Sequence, residues 1–204
     1  MPRLKELTTN RYLIIIVPSL ALFFYSAVVA SHRSIVGLEK SIFDFIYGLN
    51  IDLKPLFWLI TQLGSVWVAA IGLVIFWWYK KRKLFTDLFF GGALAYALVQ
   101  IAKTLVNRPR PNMLLPQINQ KDSLVSGLGF PSGHTAMITV FCLTVQPYLP
   151  KRYRWLIWLI IAAVAVSRVY LGVHAPLDVV GGFAIGLVVA YSIRYLMQKS
   201  ANST

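Results

Sequence analysis

Two residues near the C-terminal end of the chain have the types and spacing needed for nucleophilic chemistry. His174 and Asp178 are four residues apart. At that spacing on a helical turn, the carboxylate can accept a hydrogen bond from one imidazole nitrogen and leave the other nitrogen free to attack. Pro176 lies between them and is tolerated at the start of a helix. The pair is therefore a candidate nucleophile with an orienting carboxylate.

Lys103 and Arg110 are candidates for binding an anion. They are seven residues apart, and Pro109 and Pro111 predict that a helix stops between them, so that both can reach one ligand. A guanidinium group offers a planar fork for phosphate oxygens, and an ammonium group offers a compact charge. The alternative is that each is a snorkelling anchor at the membrane interface, and we assign Arg108 to that class.

Pro131, Ser132 and Gly133 directly precede His134 and a long apolar run. This order is typical of a helix start, with serine available to cap the first turn. Unpaired backbone N–H groups and the positive end of the helix dipole at such a start can hold a phosphoryl group against Ser132 and Gly133. His134 would then stand beside that group.

The third polar cluster consists of Ser167 and Arg168, near the end of another apolar stretch, followed by His174 and Asp178. A basic residue at mid-bilayer costs about 2.5 to 3.5 kcal/mol on insertion scales, so such residues are kept for a reason. His174 and Asp178 could instead be a metal pair, but no third or fourth ligand is obvious and the nearby basic residues oppose a cation. We expect neither a metal ion nor any other cofactor.

The elements that must position these residues are membrane spans. Of the 204 residues, 57% are hydrophobic and 13% are charged, which is unusual for a soluble domain. Continuous apolar runs near the ~20 residues that a bilayer requires favour helices over a barrel. We predict an all-α fold, a single domain over residues 1–204, with six transmembrane helices near 12–30, 56–79, 85–102, 131–149, 155–173 and 179–197. The first stretch is longer than the ~7 to 15 residues of a typical signal-peptide core, so we expect it to be retained.

The segment between the first two spans, residues 31–55, has its own apolar periodicity. Leu38, Ile42, Phe45 and Leu49 recur at helical spacing, with Glu39, Lys40 and Asp44 between them. The pattern predicts an amphipathic helix on the membrane surface.

The net charge of +13 is better explained by membrane orientation than by a nucleic-acid partner, because the basic residues cluster between the spans. With a cytoplasmic N-terminus, that side holds twelve of the twenty basic residues: Arg3, Lys5, Arg11, Lys80, Lys81, Arg82, Lys83, Lys151, Arg152, Arg154, Arg194 and Lys199. The positive-inside rule then predicts cytoplasmic termini. All three polar clusters fall at the extracytoplasmic side of a cell-membrane protein.

Small residues at a spacing of four indicate close helix packing. Gly182 and Gly186 have this spacing in the last stretch, and Gly91 and Ala95 repeat it in the third. The single cysteine, Cys142, lies inside an apolar stretch, and we expect it to pack as a small hydrophobic residue. Glycine faces can serve packing within one bundle or between two bundles, and we expect a monomer.

Together, Lys103-x6-Arg110-Pro111, Pro131-Ser132-Gly133-His134 and Ser167-Arg168-x5-His174-x3-Asp178 resemble the signature of the type 2 phosphatidic acid phosphatase family, in its bacterial membrane branch. No position departs from that pattern. The resemblance implies that His174 is the nucleophile, that His134 protonates the leaving oxygen and that Asp178 orients His174. It also implies that the phosphoryl oxygens are held by Lys103, Arg110, Arg168, Ser132 and Gly133.

The activity implied by the resemblance is metal-independent hydrolysis of a lipid phosphomonoester or diphosphate through a phosphohistidine. A site at the membrane surface admits a lipid head group while the tail stays in the bilayer, and phosphatidylglycerol phosphate and undecaprenyl diphosphate are the implied substrates. Two alternatives stay open. The same site could transfer the phosphoryl group to another lipid or alcohol, or the charged residues could line the anion path of a transporter, although no inverted repeat of broken helices is visible.

Overall fold

The computed structural model describes residues 2–49, 53–122 and 126–201, and within these ranges the chain forms helices and no strand. The all-α prediction is confirmed. The α-helices are α1 (Pro2–Ser31), α2 (Gly37–Tyr47), α3 (Lys54–Gln62), α4 (Val66–Trp78), α5 (Arg82–Val106), α6 (Pro111–Leu114), α7 (Gly133–Val145), α8 (Leu156–Tyr170) and α9 (Pro176–Ala201). Two short 3-10 turns, Gln146–Tyr148 and Lys151–Tyr153, connect α7 to α8.

Four helical segments of the described chain are long and apolar enough to cross a membrane. They are Tyr12–Ser31, Arg82–Leu114, Lys151–Tyr170 and Pro176–Gln198. A fifth crossing is obtained when α3 and α4 are counted as one span, although the two helices are bent by 45°. The predicted span 56–79 is therefore not continuous, because the Ser65 hydroxyl accepts a hydrogen bond from Val68 N at 3.2 Å and caps a new helix.

Helix α7 lies where the fourth span is predicted at 131–149, but its 13 residues are short for a bilayer. It occupies the middle of the bundle and packs against α5, α8 and α9. Side chains around most of its circumference are buried, including Ala136, Val140 and Leu143. Neighbouring helices rather than lipid therefore surround it, and the count of six spans stays a prediction.

The exterior of the bundle is apolar. Large hydrophobic side chains point outward along several helices, and Trp67, Trp78 and Leu105 are each about 80% exposed. Exposed apolar patches of this extent are unfavourable in water and suit contact with lipid. Together with the long apolar helices, they identify a multi-pass membrane protein.

Close packing of α9 against α7 is made possible by glycine, as the sequence predicts. A Cβ atom on Gly186 would lie 2.4 Å from Thr139 Cβ, and one on Gly182 would lie 2.3 Å from the Ser132 carbonyl oxygen. The backbone N–H of Ser132 also donates to the Asp178 carbonyl at 2.8 Å. The start of α7 is thereby fixed to the first turn of α9, where two of the polar clusters meet. Cys142 is buried in α7, also as predicted.

Helix α2 packs against α8 and the beginning of α9. Phe43, on the inner face of this helix, is fully buried, whereas Leu38 and Phe45 are mostly exposed on its outer face. Ile42 of the predicted stripe is also exposed, whereas Leu49 lies beyond the end of α2 and packs against Tyr170 and Leu171. The amphipathic helix on the membrane surface therefore stays a prediction.

Candidate active site

The three polar clusters meet around one cavity of about 190 Å³ at one end of the bundle. Six of the eight predicted site residues line it: Lys103, Arg110, Gly133, His134, Arg168 and His174. Ser132 and Asp178 are fully buried behind it. Larger cavities of about 490 and 390 Å³ lie elsewhere. The first is at the opposite helix ends, and the second has only apolar side chains in its wall.

Lys103 and Arg110 reach the cavity from either side of a helix end. Helix α5 ends at Val106, and Asn107 adopts a left-handed conformation with φ of 49°, as is common where helices terminate. The predicted stop between the two basic residues is confirmed. The Lys103 ammonium donates to the Leu128 carbonyl at 2.7 Å, so the lysine is anchored against the loop that precedes α7.

Carbonyl oxygens hold the Arg110 guanidinium in a fixed orientation. Its Nε donates to Gly127 O at 3.0 Å, Nη2 to Ser126 O at 3.0 Å and Nη1 to Val173 O at 2.6 Å. Its Nη1 also lies 3.5 Å from His174 Nε2. The positive charge of Arg110 is thus placed directly beside one ring nitrogen of His174.

Of the three basic side chains at the cavity, Arg168 has the most N–H donors without an acceptor in the described part of the chain. It is 1% exposed, and its Nη1 donates to Thr61 Oγ1 at 2.9 Å and lies 3.8 Å from Asp122 Oδ2. Its Nε and Nη2 have no hydrogen-bond partner among the residues that the structure describes. Buried donors without acceptors are unfavourable by about 1 to 3 kcal/mol or more. An anion in the cavity would supply acceptors to this guanidinium.

Ser132 and Gly133 form the start of α7. The Ser132 Oγ accepts from Thr135 N at 3.5 Å and from Thr135 Oγ1 at 3.1 Å, which confirms the predicted cap. Both contacts use lone pairs of the hydroxyl oxygen, and the hydroxyl proton takes no part in them. Gly133, by contrast, lines the cavity with His134, so backbone of the first turn faces the space that the three basic residues surround.

His174 lies two residues before α9 and is 2% exposed. Its Nδ1 lies 3.5 Å from Asp178 Oδ2 and makes no hydrogen bond within the described ranges. Catalytic hydrogen bonds are often this long before substrate binds. Burial, followed by the charges of Arg110 and Arg168, holds the pKa of His174 well below its usual range. The imidazole is therefore neutral near pH 7 and can act as a nucleophile.

Sequence reasoning misjudged Arg108. This residue is fully buried, and its Nη1 donates to Asp178 Oδ1 at 2.9 Å while Nη2 donates to Glu39 Oε2 at 2.7 Å. A snorkelling side chain would instead place its charge in water or at the head groups, so the interpretation as an interfacial anchor is wrong. Glu39 and Arg108 are 69 residues apart, and no local spacing in the sequence could have paired them.

Fold and site together define a helical membrane protein with a small cationic pocket that contains two histidines and suits a tetrahedral oxyanion. The chain belongs to the PAP2 superfamily, whose family model matches residues 84–202. That range contains all eight predicted site residues, and the resemblance drawn from the three motifs is confirmed.

Several relatives of this chain carry names of lipid phosphatases. It is 29% identical to the lipid A 4'-phosphatase of Porphyromonas gingivalis, over 81% of this chain and 76% of the relative. It is 26% identical to the undecaprenyl-diphosphatase of Sulfolobus acidocaldarius, over 88% of each chain. It is also 32% identical to phosphatidylglycerophosphatase B of Bacillus subtilis, over 50% of this chain and 52% of the relative.

Two solved structures have the same fold. The crystal structure of Aquifex aeolicus LpxE superposes with a TM-score of 0.72 at 28% identity and covers 79% of this chain and 96% of its own. The structure of a transmembrane PAP2 type phosphatidylglycerolphosphate phosphatase from Bacillus subtilis gives a TM-score of 0.73 at 23% identity, over 91% and 96% of the two chains. At 23% identity, the similarity to the second structure shows only that the fold is shared.

Proposed function

We propose that this chain is a membrane lipid phosphatase that hydrolyses the phosphomonoester or diphosphate of a lipid through a phosphohistidine on His174. Its relatives named for lipid A, undecaprenyl diphosphate and phosphatidylglycerophosphate support the substrate class. The observation that carries the proposal is that one cavity is lined by Lys103, Arg110, Arg168, His134 and His174.

In the first step, Nε2 of His174 attacks the phosphorus atom of the substrate. A nitrogen–phosphorus bond forms and the bond from phosphorus to the leaving oxygen breaks, while His134 donates a proton to that oxygen. Asp178 Oδ2 faces Nδ1 of His174, and it stabilises the charge that the ring gains. For a diphosphate, the leaving group is the lipid monophosphate.

In the second step, water attacks the phosphohistidine. His134 accepts the proton of the water molecule, the nitrogen–phosphorus bond breaks, and inorganic phosphate leaves with His174 regenerated. Lys103, Arg110, Arg168 and the backbone of Gly133 bind the equatorial oxygens in both steps, and Ser132 supports them through the start of α7. Fixed positive groups of this kind stabilise the transition state of phosphoryl transfer.

The proposed mechanism uses no metal ion. Three cationic side chains surround the cavity, of which Arg110 and Arg168 are buried, and they supply the charge that a divalent cation provides in other phosphoryl-transfer enzymes. A cation would have to enter against their repulsion.

The proposed setting is a cell membrane crossed six times, with both termini in the cytoplasm and the active site on the extracytoplasmic side. Phosphatidylglycerol phosphate and undecaprenyl diphosphate are the proposed substrates. In either, the phosphate enters the cavity while the tail stays in the bilayer.

The test is release of inorganic phosphate from both lipids by the purified protein in excess chelator. We expect activity that survives the chelator, is inhibited by vanadate and is lost in His174→Ala. Activity that requires a divalent metal, or that persists in His174→Ala, would overturn the proposal. Phosphate appearing on an added alcohol would indicate a phosphotransferase, and anion flux into vesicles without hydrolysis would indicate a transporter.

A further inference from the structure

A buried chain of charges runs from α2 to the carboxylate that faces His174. Both nitrogen ends of the Arg108 guanidinium contact Glu39, with Nη1 to Oε1 at 3.0 Å and Nη2 to Oε2 at 2.7 Å. The same Nη1 donates to Asp178 Oδ1 at 2.9 Å. Arg108 and Asp178 are both fully buried, and the Glu39 side chain is 9% exposed.

Arg108 determines the orientation of the Asp178 carboxylate. Oδ1 accepts from Arg108, and Oδ2 accepts from the backbone N–H of Ala175 at 2.8 Å. With both oxygens hydrogen-bonded, the carboxylate is held against rotation about its terminal bond. Oδ2 is thereby kept 3.5 Å from Nδ1 of His174. Without Arg108, Oδ1 would be a buried acceptor with no donor, and turning toward another donor would move Oδ2 away from the ring.

Glu39 in turn determines the orientation of Arg108. Its paired contact fixes the plane of the guanidinium, as bidentate carboxylate pairs do. Its Oε1 also accepts from the backbone N–H of Leu177 at 3.0 Å, the residue directly before Asp178. Glu39 therefore joins α2 to the first turn of α9 at the point from which the carboxylate projects.

Neither Glu39 nor Arg108 lines the cavity, so they do not reach the position of a bound phosphate. We propose that Arg108 and Glu39 are positioning residues that hold Asp178 in line behind His174 and so align the nucleophile. This inference rests on the proposed phosphohistidine mechanism. It differs from a role in substrate binding, because it acts on the reaction step and leaves affinity for the anion intact.

The experiment compares Glu39→Gln and Arg108→Gln with Lys40→Gln in purified protein. Lys40 lies on the same helix in a half-exposed pair with Asp44, so it is a matched charge control. We expect kcat to fall at least about tenfold in the first two variants, with KM and the inhibition constant of vanadate changed less than about threefold. Lys40→Gln keeps the kcat of the unaltered protein. Arg108→Lys, which restores the charge with fewer donors, recovers part of the lost rate.

A spectroscopic readout separates alignment of His174 from general damage. The proton on Nδ1 of His174 gives a low-field nuclear magnetic resonance signal when it is hydrogen-bonded to the carboxylate, and we expect Glu39→Gln to shift or broaden it in folded protein. Folding is checked by the unfolding midpoint in detergent. The decision rests on Glu39→Gln, whose amide keeps the shape of the side chain and one acceptor oxygen.

The inference is overturned if Glu39→Gln keeps its full kcat, if it changes KM and vanadate inhibition in parallel with kcat, or if it fails to fold. The last outcome would mean that the ion pair serves the fold. Failure of the proposed function is distinguishable, because in that case His174→Ala itself retains activity.

Discussion

His174 Nε2 lies 3.5 Å from Arg110 Nη1. Because every Arg110 nitrogen is a donor, a neighbouring Nε2 is stabilised when it carries a lone pair rather than a proton. The ring proton then belongs on Nδ1, which faces Asp178 Oδ2. This tautomer presents the nucleophilic lone pair to the cationic cavity.

The first prediction concerns the protonation of His174. Burial and the adjacent cations lower its pKa, so the ring is protonated only when pH falls through a value below the usual ~6.5. Because attack needs the neutral ring, we expect the acid-side decline of kcat/KM to lie below pH 6.5. The chain has 3 histidines, and imidazole nuclear magnetic resonance with His174→Asn as the assignment control measures the value directly. A titration at or above pH 6.5 in the substrate-free protein would contradict this prediction.

The second prediction distinguishes the roles of His134 and His174 by changing the leaving group of the substrate. If His134 protonates the leaving oxygen, His134→Ala should lower kcat about 10² to 10⁴-fold for a lipid alkyl phosphate. A substrate with an acidic phenol as the leaving group needs no such proton, so its phosphoenzyme formation should be lowered much less. His174→Ala should abolish turnover of both substrates. Rapid-quench measurement under alkaline conditions, which preserve phosphohistidine, checks the prediction, and equal losses for both substrates in His134→Ala would refute it.

The third prediction concerns the unused donors of Arg168. Its Nε and Nη2 lack partners in the part of the chain that the structure describes, so a bound anion gains hydrogen bonds without breaking existing ones there. Charge-assisted hydrogen bonds contribute about 1.5 to 3 kcal/mol each, and we expect Arg168→Gln to weaken vanadate binding about 10- to 100-fold. Inhibition constants measure the effect. Arg33→Gln, at an exposed position, is the control, and unchanged inhibition in Arg168→Gln would argue against a phosphate contact.

Local sequence was sufficient to predict the parts of the site that depend on neighbouring residues. Asn107 ends α5 between Lys103 and Arg110, and Ser132 caps α7, because both signals act within a few residues of chain. The break after Gln62 was missed, since Gly64 and Ser65 interrupt a stretch that is otherwise apolar. The mean hydropathy of a whole span changes little when a single capping residue interrupts it, so it does not reveal the helix break.

The parts that depend on distant residues could not be predicted. Arg108 looks like an interfacial cation in the sequence because its partner, Glu39, lies 69 residues away on a helix whose outer face is apolar. The burial of α7 by α5, α8 and α9 likewise depends on how the helices assemble. The apolar run in the sequence is longer than the 13 residues of α7, so the length of the helix could not be read from it.

The fourth prediction concerns the orientation of the chain in the membrane. Arg152 and Gln117 are exposed at opposite ends of the bundle, and Gln117 is at the end that carries the cavity. With Cys142 replaced by alanine, the chain has no other cysteine. A membrane-impermeant maleimide should label Gln117→Cys in intact cells and Arg152→Cys only after the cells are opened. The reverse pattern would place the active site in the cytoplasm.

The fifth prediction tests whether helix contact at glycine supports both the fold and the site. A methyl group at Gly186 would meet Thr139 Cβ at 2.4 Å and Ala136 O at 2.9 Å, and both groups belong to α7. Backbone and β-carbon atoms cannot move aside as a flexible side chain can, so α9 must shift away from α7, and overpacking of this kind typically costs about 1 to 3 kcal/mol. We expect Gly186→Ala to lower the unfolding midpoint in detergent and, because α9 carries Asp178, to reduce kcat as well.

Gly72→Ala is the matched control, since its new methyl group would lie 4.0 Å from Phe141 Cε1 and alanine is favourable in a helix. Equal midpoints for the two variants would show that the α7–α9 contact tolerates separation, and equal kcat values would show that the position of Asp178 does not depend on it.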